Sequence, residues 1–86
     1  MAEVTNVSTT PNPDAMKFSL DRRFEEMFTV PSAEDAAANP FAAAVFAAGG
    51  VASVFGTADF VTITRLPGGD WDAIESAVRA AAAEHL

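Results

Sequence analysis

The chain has no cysteine, a single histidine and a single lysine among its 86 residues. Without cysteine there is no disulfide, no thiolate cluster and no Cys–His nucleophile, so stability must come from packing alone. One histidine, His85, stands at the end of the last predicted helix, where the macrodipole favours a cation. It has no second histidine or cysteine with which to hold zinc or an iron–sulfur cluster within one chain. It is also badly placed as a catalytic base. Ser and Thr are plentiful, yet none stands in a nucleophile-elbow pattern. The formal net charge of −7 disfavours nucleic acid, whose phosphates call for Lys and Arg. It equally disfavours an anionic membrane surface. Net charge of this kind keeps small proteins soluble and monomeric.

Long apolar runs are lacking too. The longest, from Pro40 to Val54, is broken by two glycines and is too short to span a bilayer. The first residues lack the basic start and continuous apolar stretch of a secretory signal. These features read as a cytoplasmic protein of one domain, residues 1–86, beginning at a natural Met1. Half the residues are hydrophobic, but many are alanines. Seven phenylalanines and Trp71 are therefore expected to dominate the core, each large buried side chain contributing roughly 1.5–3 kcal/mol.

Turn chemistry divides the chain. Val4 to Thr9 is rich in β-formers and reads as a strand. Thr10-Pro11-Asn12-Pro13-Asp14 breaks it, because each proline fixes its own φ and extends the residue before it. Alternation resumes from Ala15 to Leu20, with Met16, Phe18 and Leu20 opposite Lys17 and Ser19, which completes a hairpin. Phe24 to Val30 fits either a helical turn or a short strand, and Ser32 can cap a turn through Asp35. Asn39-Pro40 opens a helix with Phe41, Ala44, Val45 and Ala48 on one face and Gly49 as its C-cap. Val51–Phe55 and Phe60–Leu66 follow as strands around a four-residue loop from Gly56 to Asp59. Pro67-Gly68-Gly69 turns the chain, and Asp70 caps a last helix whose stripe is Trp71, Ile74, Ala77, Val78 and Ala81. The expected fold is α+β: a two-layer sandwich of a mainly antiparallel sheet with two helices on one face, ordered β-β-(β)-α-β-β-α.

Carboxylate pairs at Glu25-Glu26 and at Asp70 with Asp72 are the nearest approach to acid–base chemistry. A solvated connection and a helix N-terminus account for them. The glycine pairs are too short for phosphate loops. Asn12, Lys17 and Asp59 are the candidate partner surface, since a rigid Pro-Asn-Pro turn presents polar groups at small entropic cost. The plainer reading is that Asn12 shapes the hairpin and Lys17 offsets local acidity.

Several of these pieces, in this order, resemble the N-terminal domain of Nfu/NifU-type iron–sulfur scaffold proteins. They are the Thr-Pro-Asn-Pro-x-Ala-x-Lys-Phe stretch at Thr10 to Phe18, the Asn39-Pro40 helix start, Gly49-Gly50-Val51-x-Ser53-Val54-Phe55, Asp59 to Thr64, and Trp71. The likeness covers Val4 to Leu86. It implies an α+β domain that accompanies a separate Cys-x-x-Cys domain carrying the cluster, which this chain lacks. The implied role is a non-catalytic contact module in iron–sulfur cluster assembly with no cofactor of its own, its partners being assembly proteins or apoprotein clients. The chain is then a stand-alone accessory domain or a fragment of a longer scaffold. The alternative is a small enzyme or small-molecule binder with a pocket between sheet and helices.

Overall fold

A computed structural model describes residues 2–86. Strands β1 (Val4–Thr9) and β2 (Ala15–Leu20) form the first hairpin, followed by β3 (Phe28–Val30), a 3-10 helix (Ala33–Ala38) and α1 (Pro40–Phe46). Strands β4 (Val51–Thr57) and β5 (Phe60–Arg65) form the second hairpin, and α2 (Trp71–His85) ends the chain. The five strands make one sheet in the order β1-β2-β5-β4-β3, with every neighbouring pair antiparallel. The expected α+β architecture and element order are therefore present, and the ambiguous Phe24–Val30 stretch supplies its strand only from Phe28.

Register sorts the side chains. Val7, Phe18, Val61, Gly56 and Phe28 lie abreast across the sheet, as do Thr9, Met16, Ile63, Val54 and Val30. These rows face the helices. Between them lies Ser8, Lys17, Thr62, Phe55 and Thr29, a row directed to the other face because strand side chains alternate. Phe41, Val45, Val54, Val61, Ile63, Ile74 and Val78 are all buried between the layers, as their periodicity predicts.

The phenylalanines do not dominate this core. Only Phe18 and Phe41 are buried, while seven valines and six alanines are. Phe55 and Phe60 fall on the open sheet face, and Phe24 and Phe28 meet edge to face at the sheet margin, ring centres 5.1 Å apart. Trp71 is half-buried. The core is instead thin, with Ala42, Ala81 and Ala82 letting the two helices and the sheet approach closely.

Three local expectations are corrected. Helix α1 stops at Phe46, because Ala48 and Gly49 donate to Val45 and Phe46 in tighter i to i+3 bonds; Ala42 is buried and Ala48 exposed. The second hairpin turns on two residues, since Thr57 already pairs with Phe60. Gly56 belongs to the strand, where the Phe28 ring occupies the space a Cβ would need, and Ala58 takes the positive φ of 49°. Ser32 does not cap a backbone amide: its hydroxyl donates to the Asp35 carboxylate at 3.0 Å. Asn39 and Asp70 do cap their helices, accepting from Ala42 N at 3.1 Å and Asp72 N at 3.0 Å.

Ile74 is fully buried at the centre of α2, so Ile74→Ala leaves a cavity in a thin core. Urea denaturation should show a loss of about 2–5 kcal/mol; a loss well below this range would mean the helix layer closes over the gap.

Candidate functional site

The turn at Thr10–Asp14 is built by its own side chains. The Thr10 hydroxyl accepts from Asn12 N at 3.1 Å and lies 2.9 Å from the Asn12 carbonyl and 3.0 Å from that of Ala15. Asn12 Oδ1 accepts from Asp14 N at 2.9 Å, and Ala15 N donates to the Asn12 carbonyl at 3.0 Å. Asn12 thus holds the hairpin shape through its side-chain oxygen, which leaves its amide nitrogen to the surface.

Arg65 joins this turn to the start of α2. Its backbone N donates to the Asp14 carbonyl at 2.7 Å, and its Nε to Asp14 Oδ1 at 3.1 Å. One terminal nitrogen reaches the Gly69 carbonyl at 3.3 Å, and the guanidinium stands 5.3 Å from the Trp71 ring centre. The two glycine turns meet at the same end. Leu66 N donates to the Gly50 carbonyl at 2.7 Å, and a Cβ on Gly69 would collide with that carbonyl oxygen. Gly50 and Gly69 therefore pack backbone against backbone, which neither could do with a side chain. A groove of about 420 Å³ opens here between Pro11, Pro13, Met16, Arg65 and Trp71.

The three sequence candidates are not brought together. Asn12 lines this groove. Asp59 occupies the β4–β5 turn at the far end of β5, six residues and about 20 Å of strand from Arg65, where its carbonyl accepts from Leu20 N at 2.7 Å. Lys17 lies between them on the open sheet face, opposite Phe18 as expected. It is half-buried rather than fully exposed, because its ammonium settles 4.4 Å from the Phe60 ring centre. Arg65 was missed as a site residue. The one local signal is that it is the cation ending the alternating strand β5, just before Leu66 and the Pro-Gly-Gly turn; its partners leave no pattern in the sequence.

The other titratable groups keep to ordinary places. Asp70 and Asp72 sit at the start of α2, Glu25 and Glu26 in an exposed connection, and His85 in the last turn of α2, 3.9 Å from Glu84. Among the described residues no three His, Cys, Asp or Glu side chains converge on a common point, and no helix is long and apolar enough to cross a membrane.

An α+β domain with this order of turns and caps defines a class, and comparison with known proteins gives it a family. Residues 4–86 match the model for the scaffold protein Nfu/NifU N-terminal domain. The chain belongs to that family. It is 36% identical over 69 residues to the mitochondrial NifU-like protein 5 of Arabidopsis thaliana, covering 78% of this chain and 25% of the relative. It is 38% identical over 72 residues to the mitochondrial NFU1 iron-sulfur cluster scaffold homolog of Drosophila erecta, covering 80% and 25%. The chain therefore spans about a quarter of the length of these curated relatives. Among solved structures, protein SAV1430 of Staphylococcus aureus superposes with a TM-score of 0.77 at 25% identity, covering 92% of this chain and 96% of that one. The NifU-like protein of Saccharomyces cerevisiae gives 0.72 at 24% identity, covering 88% and 71%, and shares the fold.

Arg65→Lys keeps the charge but loses the planar fork that serves Asp14, Gly69 and Trp71 together. A loss of about 1 kcal/mol is expected, with a red shift of Trp71 emission as water reaches the indole. Unchanged emission and stability would show that Arg65 does not hold the two turns together.

Proposed function

We propose that this domain is a non-catalytic contact module of iron–sulfur cluster assembly, acting as one unit over residues 1–86. Membership of the Nfu/NifU N-terminal family carries the reading, since the curated relatives bear the name of iron–sulfur cluster scaffolds. The chemistry of the chain supports it. With no cysteine and one histidine there is no ligand set for a cluster within the chain, so a contribution to assembly goes through contact with assembly proteins or apoprotein clients. The cytoplasmic placement is part of this proposal; the word mitochondrial belongs to the relatives' names.

A small-molecule site is the second reading, favoured by the groove beside Arg65 and Trp71. Its walls are mostly apolar and its one cation is already engaged by Asp14, which suits a partner's side chain better than a reacting substrate.

After anaerobic reconstitution with iron and sulfide, the desalted domain should hold no stoichiometric iron and show no charge-transfer absorbance. About one iron per chain surviving desalting would end the accessory reading.

The candidate surface of Asn12, Lys17 and Asp59 enters as a proposal with its own test. Lys17→Glu reverses the only lysine charge and removes the contact with Phe60, at about 0.5–1 kcal/mol. The folded variant should lose co-purification with cluster-assembly proteins in a pull-down. Binding equal to wild type would place the contact away from the open sheet face.

A further inference from the structure

Strand β1 is the outer strand of the sheet and, among the described residues, has no neighbouring strand on its far side. The opposite edge, β3, has three residues and is closed at once by Pro31 and the 3-10 helix. The β1 edge has six, with neither a charged residue nor a proline from Val4 to Thr10. Edges are ordinarily blunted by such residues. Here, among the described residues, the edge is marked by one bulge between Val4 and Asn6 and by Arg79, which donates to the Val4 carbonyl at 3.4 Å.

The direction of the backbone groups follows from parity. The Asp14 carbonyl bonds to Arg65 N, and Leu20 N to the Asp59 carbonyl, so the even-numbered residues of β2 direct their N–H and C=O toward β5. Lys17 and Ser19 then face β1 and engage their partners Ser8 and Asn6. Val7 and Thr9 are left with both N–H and C=O directed outward, unpaired with any backbone group among the described residues.

Two grooves meet the two ends of β1, both on the helix side. The first is the 420 Å³ groove at the Thr9 end, against Trp71. The second, of about 350 Å³, lies at the Val4 end between Ala2, Glu3, Arg79 and Ala83. Trp71 and Ala83 are separated by about 18 Å of helix, so α2 runs antiparallel to β1 with one groove near each end. Along the edge itself, Thr9 and Val4 line the two grooves and stand opposite Met16 and Leu20, four β2 residues or about 13 Å apart because of the bulge. That is the separation of two side chains four residues apart on one face of an added strand. Their walls are mainly apolar, and each arginine is already occupied: Arg65 by Asp14, Arg79 by Glu75 and the Val4 carbonyl.

We propose that the free edge of β1 receives an extended segment of a partner protein as a sixth strand. Two apolar side chains four residues apart fill the grooves, and basic residues flank them. The basic flanks follow from charge: the chain carries −7, and exposed Glu3 borders one end of the edge. A second copy, at −7 itself, is disfavoured as the occupant. Main-chain hydrogen bonds would supply affinity and the grooves selectivity, as in strand addition generally. The inference rests on reading the domain as a contact module and names how one partner segment docks.

The test is a titration of the ¹⁵N-labelled domain with the capped peptide Lys-Ile-Thr-Ser-Thr-Ile-Thr-Lys. Shifts should concentrate on the Val7 and Thr9 amides and the Trp71 indole, with slowed exchange at those two amides. Replacing the central serine of the peptide by proline, or both lysines by glutamate, should weaken binding tenfold or more. Ala83→Phe, at an exposed helix position, fills the second groove without touching the core and should weaken it several-fold. Thr9→Pro removes one outward N–H and should do the same. Shifts centred on Lys17 and Phe60, no shifts at millimolar peptide, or edge protection arising from self-association at rising domain concentration would each overturn the proposal. Failure here with an intact pull-down would refute the docking mode alone; failure of the pull-down with β1 shifts intact would refute the assembly role alone.

Discussion

The pairing of β2 with β5 is the constraint from which the rest of the structure follows. Each belongs to a hairpin, and their register sets Phe18 opposite Val61 and Met16 opposite Ile63. Because the side-chain period is two, a slip of one residue would carry the core rows of both hairpins to the open face. The correct register places every fully buried strand side chain toward α1 and α2. It also fixes the ends: Asp14 arrives beside Arg65 at one end, and Leu20 beside Asp59 at the other. The Pro-Asn-Pro turn and the Pro-Gly-Gly turn lie far apart in sequence and meet only because these strands pair.

That distinction explains what was legible in the residues. Caps at Asn39 and Asp70, the alternation of β2, β4 and β5, and the Ile74–Val78 stripe are local, and local chemistry determines them. Gly56 was misplaced in a loop because its reason for being glycine lies in Phe28, which reaches it across a strand pair. The phenylalanines were overvalued for a related cause. Hydrophobicity says that a side chain gains from burial, but the number of alanines on the helices decides how thick the core can be. With Ala42, Ala81 and Ala82 at the interface, the layers close before five of the seven rings can be taken fully inside.

The candidate site was legible only in pieces. Asn12 was found through its prolines, and the structure gives its oxygen the turn-forming role that the plainer reading assigned. Arg65 escaped because its partners come from three places in the chain: Asp14, Gly69 and Trp71. No spacing rule joins them. Their convergence also accounts for several family-like motifs being separate in sequence yet serving one end of the domain.

Charge and edge exposure then become two sides of one arrangement. An open β1 edge without lysine or proline would ordinarily invite pairing between copies. In this chain the protection is global rather than local. Twelve carboxylates against five cations make every encounter between copies repulsive, while the sheet's open row of Ser8, Lys17, Thr62, Phe55 and Thr29 has no carboxylate at all. Repulsion of that kind acts over about 10 Å at ordinary salt, far enough to govern approach and too diffuse to block a basic segment once it arrives. The same net charge that keeps the edge from its own kind thus leaves it open to a partner of opposite sign.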